Sequence, residues 1–186
     1  MHAVKIPYYR VEDYLELELR SERRHEYLNG EIVAMTGGSL AHNLITLNLA
    51  GTLREHLRGT PCRVYVNDVK VRIEAAHCFF YPDVLVSCVE PGKLQDCYFV
   101  DDAKLVIEVL SPSTNQRDRE FKRIAYRQLP GLQEYLLVAQ ESRLAICYRR
   151  LPDGWEQEPY GAREVIELKS VGLNLPLTRI YEDIPE

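Results

Sequence analysis

No Cys-x-x-Cys pair occurs in this chain: its five cysteines, Cys62, Cys78, Cys88, Cys97 and Cys147, are scattered and odd in number. That pattern argues against a structural zinc site and against the disulfide framework of a small secreted domain. A reducing, intracellular setting, and so the cytoplasm, is the simplest expectation. Long hydrophobic runs are missing too. No apolar stretch reaches the ~18 residues that a membrane-spanning helix needs. Charged residues follow soon after the opening Met-His-Ala-Val-Lys-Ile-Pro, so neither a signal peptide nor a membrane partner is expected.

Basic residues are in deficit, 23 Lys and Arg against 28 Asp and Glu, for a net charge of −5. This disfavours a protein that coats nucleic acid through a broad basic surface. An enzyme acting on nucleic acid stays open, because metal-binding carboxylates add negative charge and local basic patches coexist with an acidic total. Internal repeats, low-complexity segments and Gly/Ser- or Pro-rich linkers are also lacking, so residues 1–186 are expected to form one domain. What remains is an ordinary globular composition, 46% apolar and 27% charged. A chain of this length can bury a core without metal or disulfide staples.

The apolar pattern predicts the elements. Val11, Tyr14, Leu15 and Leu19 are spaced as a helix among acidic residues. Asn29-Gly30 between two strand-like runs predicts a two-residue hairpin turn. Gly37-Gly38 breaks the chain, and Ser39 can cap a helix from Leu40 to Leu57. In that helix Leu40, Leu44, Leu47 and Gly51 lie near one stripe, Leu53 and Leu57 form a second pair, and Ile45 and Leu49 widen the apolar surface. Residues 63–73 alternate as one or two strands with a phase slip at Asn67-Asp68. Residues 81–86 read as a strand entered through Pro82. The run Ala103 to Leu110 is apolar enough for a central strand covered on both faces. Ser111-Pro-Ser-Thr-Asn stops it. Asn115 with Asp118 resembles a capping box, and Gln116 to Leu129 reads as a helix ended by Pro130-Gly131. Further strands are expected at 134–139, 143–149, 155–159 and 164–168. The order predicts an α/β or α+β fold: a mixed central sheet flanked by helices, with an N-terminal helix and hairpin.

Glu108 stands out because Val106, Ile107, Val109 and Leu110 around it are all apolar. A buried carboxylate needs a partner, since its desolvation costs several kcal/mol. The pattern leaves open a strand end that reaches water or an arginine. Asp83, behind Pro82 at a strand mouth, reads alone as a turn residue. Beside Glu108 on a neighbouring strand it would supply a second hard oxygen donor of the kind magnesium takes. Lys122 borders the apolar face of the helix after Glu108, where its ammonium can reach over the sheet; a solvated surface lysine is the alternative. Arg117, Arg119, Arg123 and Arg127 on that helix suit either phosphate contacts or a solvated face.

Several segments together resemble one family: Tyr-Leu-Asn-Gly-Glu-Ile-Val at 27–33, His42 early in a helix, Tyr-Pro-Asp-Val at 81–84, Leu-Val-Ile-Glu-Val-Leu-Ser-Pro-Ser-Thr at 105–114, Lys122 with Tyr126, and Glu-Tyr-Leu-Leu-Val at 134–138. The family is Uma-two, a group of PD-(D/E)XK endonucleases, and the resemblance covers nearly the whole chain. It implies a restriction-endonuclease-like core that hydrolyses phosphodiester bonds of DNA with magnesium, or manganese in its place. The ion would be held by Asp83, Glu108 and the main-chain carbonyl of Val109. The superfamily's lysine usually stands two residues after the glutamate, where this chain has Leu110; Lys122 is the candidate replacement. Glu31 and His42 are further candidates for the site, as a ligand or a phosphate contact. Glu31 also reads as an exposed residue after a tight turn, and His42 as a helix N-terminal residue near water. Two-fold symmetry suits cutting both strands of a duplex, which leaves a homodimer open. A non-catalytic nucleic-acid-binding module, or a protein-interaction domain with a salt-bridged Glu108, are the competing expectations.

Overall fold

A computed structural model describes residues 8–88, 98–110 and 116–185, without the side chains of 116–119. The expected stop at Ser111 to Asn115, the Asn115 cap and Cys97 lie outside the described residues. The fold is α+β. Helix α1 (Val11–Arg20) leads into the hairpin β1 (His25–Leu28) and β2 (Glu31–Ala34), then α2 (Leu40–His56), β3 (Arg63–Val66) and β4 (Lys70–Ile73). A 3-10 turn precedes β5 (Cys78–Phe80), followed by β6 (Val84–Ser87), β7 (Phe99–Val100) and β8 (Leu105–Leu110). Helix α3 (Gln116–Tyr126) and strands β9 (Glu134–Ala139), β10 (Ala145–Leu151) and β11 (Gly154–Tyr160) come next. The hairpin β12 (Val165–Leu168) and β13 (Leu173–Pro176) and the short α4 (Leu177–Ile180) follow.

Six strands form the central sheet in the order β11-β10-β9-β8-β6-β3, in which β8 and β9 are parallel and the other pairs antiparallel. A second sheet has the order β2-β1-β5-β4-β7, and β12 pairs with β13. The period-2 alternation of strand side chains decides which layer each central residue meets. From β8, Leu105, Ile107 and Val109 pack into the core under α2 and α4, whereas Val106 and Leu110 pack into the core shared with α3 and the second sheet. Glu108 lies between Val106 and Leu110 in that alternation and so faces the α3 layer. On the far side of the second sheet, Tyr14 of α1 packs on Tyr27 and Phe79.

Three local readings need correction. The buried stripe of α2 is Ile45, Leu49 and Leu53, spaced four apart; Leu40 and Leu47 face solvent, 87% and 61% exposed. A four-residue repeat keeps to one helix face, and only one of the two leucine-rich faces can meet the sheet. Helix α3 ends at Tyr126 instead of Leu129 because Gln128 and Leu129 donate to the carbonyls of Ala125 and Tyr126, a tighter i→i+3 turn leading into Pro130. The scattered cysteines gave no sign that Cys62 and Cys88, 26 residues apart, are disulfide-bonded. The antiparallel register that sets Arg63 opposite Ser87 brings them together. One cross-strand bond is not the stapled framework that the cysteine pattern argued against. Cys78 and Cys147 are free and buried. Among the described residues no helix is long and apolar enough to cross a membrane.

Candidate active site

Register builds the site. Val84 of β6 pairs with Ile107 of β8, so the residue before Val84 meets the residue after Ile107: Asp83 beside Glu108. The Asp83 carboxylate is held at both oxygens. Its Oδ2 accepts from the Val109 backbone N–H at 2.7 Å, and its Oδ1 lies 2.9 Å from His42 Nε2. Ser39 caps α2 by accepting from the His42 backbone N–H at 3.1 Å, which fixes where the imidazole starts. Asn67, in the left-handed region at φ 48°, is where the strand phase slips, and its N–H donates to the Asp83 carbonyl at 3.3 Å. Side chain and backbone of Asp83 are therefore fixed from three directions.

Glu108 is 8% exposed. Its Oε1 accepts from the Tyr126 hydroxyl at 3.0 Å and lies 3.5 Å from Lys122 Nζ. Lys122 and Tyr126, one turn apart on α3, thus both reach the carboxylate from above the sheet. The ammonium sits closer to Glu26, at 2.7 Å, and over the Phe80 ring at 5.4 Å. Glu26 also accepts from the Tyr81 backbone N–H at 3.4 Å. Three carboxylates, Glu26, Asp83 and Glu108, are gathered around one ammonium and one imidazole.

The charge imbalance shifts the ionisation of Glu108, Lys122 and His42. Burial raises the Glu108 carboxyl to about 7; Lys122 pulls it down, but Asp83 and Glu26 push it further up. Burial alone would lower the Lys122 ammonium, yet Glu108 and Glu26 outweigh it and hold it above its ordinary value. His42 is raised, mainly by its hydrogen bond to Asp83, against the opposing effect of burial. Its other ring nitrogen, Nδ1, is buried without a partner among the described residues.

Asp83, Glu108, Lys122 and His42, all singled out from sequence, are thus brought into one group. Glu31 is not: it stands exposed at the start of β2, opposite Leu28, and has no ion pair to the group among the described residues. The hairpin's contribution is Glu26, which sequence reasoning missed. The available signal was alternation: Glu26 shares the strand phase of Leu28, whose side chain packs in the core shared with α3, whereas Tyr27 points the other way. The main-chain N–H of Val109 is committed to Asp83. Among the described residues no group of three or more His, Cys, Asp or Glu is set to hold a metal ion. The donor set nonetheless fits a hard divalent cation: carboxylate oxygens from adjacent strands, largely removed from water and carrying more negative charge than one lysine balances.

A mixed sheet flanked by helices, with carboxylates paired at the β6–β8 contact, has the restriction-endonuclease-like fold. The crystal structure of a "putative nuclease belonging to DUF820" from Anabaena variabilis superposes with a TM-score of 0.75, covering 91% of this chain and 96% of that one at 16% identity, a likeness of fold. Residues 11–178 match the Uma2 family, described as "Putative restriction endonuclease", and the chain belongs to that family. Two similar proteins come from Synechocystis sp. One, the uncharacterized protein slr1290, is 37% identical over 98% of this chain and 97% of its own length. The other, the uncharacterized protein sll1609, is 35% identical over 74% of this chain and 75% of its own length.

Proposed function

We propose that this chain is a divalent-metal-dependent DNA endonuclease that hydrolyses phosphodiester bonds and acts as one domain. The observation that carries the reading is the buried, under-neutralised Glu108 beside Asp83, with Lys122 over them. Asp83, Glu108 and the Val109 carbonyl are the groups that would hold magnesium, with Glu26 beside them. An ion there supplies a polarised phosphate oxygen and a bound water of lowered pKa.

The chain's own residues do the rest. Lys122 lies close enough to Glu108 to place positive charge where the pentavalent phosphate develops its negative charge, and burial strengthens that interaction relative to water. Its contact with Glu26 holds the ammonium in place. His42 and the Val109 N–H orient Asp83, and Tyr126 orients Glu108, so neither carboxylate must reorganise when the phosphate arrives.

One observation favours a second reading, a non-catalytic nucleic-acid-binding or interaction module: Lys122 already pairs with Glu108 and Glu26 and balances part of their charge. A cleavage assay separates the two. The full chain is incubated with supercoiled, linear and single-stranded DNA, with magnesium and with a chelator. The nuclease reading expects nicking that the chelator stops. Binding without nicking under every metal tried would leave the module.

A further inference from the structure

Helix α3 and the turn that follows it carry a second ridge that the site does not use. Lys122 and Tyr126 point at Glu108. Arg123 and Arg127, each one residue further on, are rotated by about 100° around the helix and point toward β10. There the Arg123 guanidinium lies over the Tyr148 ring at 5.5 Å, and Arg127 lies over Tyr148 at 5.1 Å and over Trp155 at 5.6 Å. Arg150 stacks on Trp155 from its own side at 4.6 Å. The three differ in employment. Arg150 donates to the carbonyls of Leu132, Arg127 and Leu129 and so ties down the end of α3. Among the described residues the side chains of Arg123 and Arg127 make no ion pair and no hydrogen bond, and Arg127 Nε is buried without a partner. Burial first, and then the neighbouring Arg123, hold the Arg127 guanidinium below its ordinary pKa, with Tyr148 acting against them.

Stacking on an aromatic face fixes the plane of a guanidinium and leaves its N–H edge available to a planar or tetrahedral oxyanion. Two such groups one helical turn apart, in a chain whose net charge is −5, concentrate positive charge at one place. The place matters. Tyr148 is paired with Tyr135, and Tyr135 with Val106, two residues before Glu108 on β8. The platform therefore lies about 10 Å across the sheet from the Glu108 strand, at ~4.8 Å per strand, and on the same face.

We propose that Arg123 and Arg127, stacked on Tyr148 and Trp155, form a phosphate-contact platform that holds the DNA backbone flanking the scissile bond. The proposal rests on the nuclease reading and adds to it the track along which the duplex lies. Arg123 and Arg127 are positioning residues, acting on binding and not on the reacting atoms.

The test is the salt dependence of binding. A fluorescently labelled duplex is titrated with the full chain carrying Glu108→Gln, with and without the further changes Arg123→Gln and Arg127→Gln. Each phosphate contact contributes about −0.9 to the slope of log K against log salt. The double change is expected to make the slope shallower by about 2, and each single change by about 1. Arg127→Lys, which keeps the charge, is expected to keep the slope. Melting curves identify any variant that fails to fold; the platform is then read from Arg123→Gln alone. An unchanged slope in folded variants overturns the platform and leaves the nuclease reading standing. Duplex binding with the expected loss of slope, but no cleavage by the wild-type chain, keeps the phosphate contacts of Arg123 and Arg127 but overturns the nuclease reading and, with it, their place beside a scissile bond. Absence of duplex binding at every salt concentration overturns both.

Discussion

Two glutamates are buried on adjacent parallel strands of the central sheet, Glu108 on β8 and Glu134 on β9, and they are treated differently. Glu134, 0% exposed, accepts from Arg149 Nε at 2.9 Å and from the backbone N–H groups of Ser170 at 2.8 Å and Lys169 at 3.1 Å. Arg149 is in turn bound by Glu158 and the Glu167 carbonyl. Every strong donor around Glu134 is short and fixed, which is how a buried charge becomes a structural clamp. Glu108 has one hydroxyl at 3.0 Å, a lysine at 3.5 Å that is nearer to Glu26, and Asp83 alongside. Negative charge is concentrated there and left partly unbalanced. Carboxylates shifted in this way cluster at functional sites.

The sharpest way to break the contrast is to remove each carboxylate in turn. Glu134→Ala leaves the Arg149 guanidinium buried without its main partner and is expected to cost about 3–5 kcal/mol of stability in urea unfolding. A loss below about 1 kcal/mol would show that Glu134 is no clamp. Lys122→Ala should lower the cleavage rate at saturating magnesium on the order of 10²–10³-fold, with metal affinity little changed, since in the proposed mechanism the ammonium acts on the transition state. Rapid-quench rates across a magnesium series check this; wild-type rates would shift the positive charge to another group.

Glu108→Gln should behave oppositely to Glu134→Ala in stability. The folded pKa of Glu108, about 7, lies above the ordinary carboxyl value of 4.5. Across that window the folded chain keeps a proton that the unfolded chain has released. In chelator, the stability associated with this group is complete below pH ~4.5 and is lost as pH rises to ~7. Glu108→Gln should erase that fall and leave the chain more stable than wild type at pH 8, on the order of 1–3 kcal/mol. Parallel melting-temperature profiles of the two proteins would contradict it. The smallest effect is the linked one. A cation competes with the Glu108 proton, so magnesium affinity by titration calorimetry should fall about tenfold per pH unit below ~7 and level off above it.

Much of this contrast was invisible in the sequence, where both glutamates sit in apolar strands. Glu108 was legible as a buried carboxylate because four apolar neighbours surround it, whereas Asp83 read alone as a turn residue and gained a role only beside Glu108 and from the family resemblance. Lys122 read from spacing as a solvated lysine, and the family resemblance singled it out. One pairing, β6 against β8, groups Asp83 with Glu108, and α3 brings Lys122 over them. Alternation put Glu26 in phase with Leu28, but that this face meets Glu108 depends on β1 pairing with β5, a three-residue strand behind a 3-10 turn with no periodicity of its own. The turn residues Asn29-Gly30 located the hairpin correctly and read Glu31 as exposed; the family resemblance offered it as a site residue, and the structure leaves it in solvent. The two-residue β7 and the β13–α4 ending also escaped. Short strands take their conformation from partners distant in sequence, so local pattern carries little of their signal. The stacked platform is a similar case: arginines on α3 could be counted, but not the rings of β10 and β11 beneath them.

The most direct measurement compares nicking of supercoiled plasmid by wild type and by Glu108→Gln, in magnesium and in chelator, with folding of both verified by melting. The account predicts magnesium-dependent nicking by the wild type that Glu108→Gln abolishes while the variant stays folded and at least as stable. Equal nicking by the two proteins would contradict it.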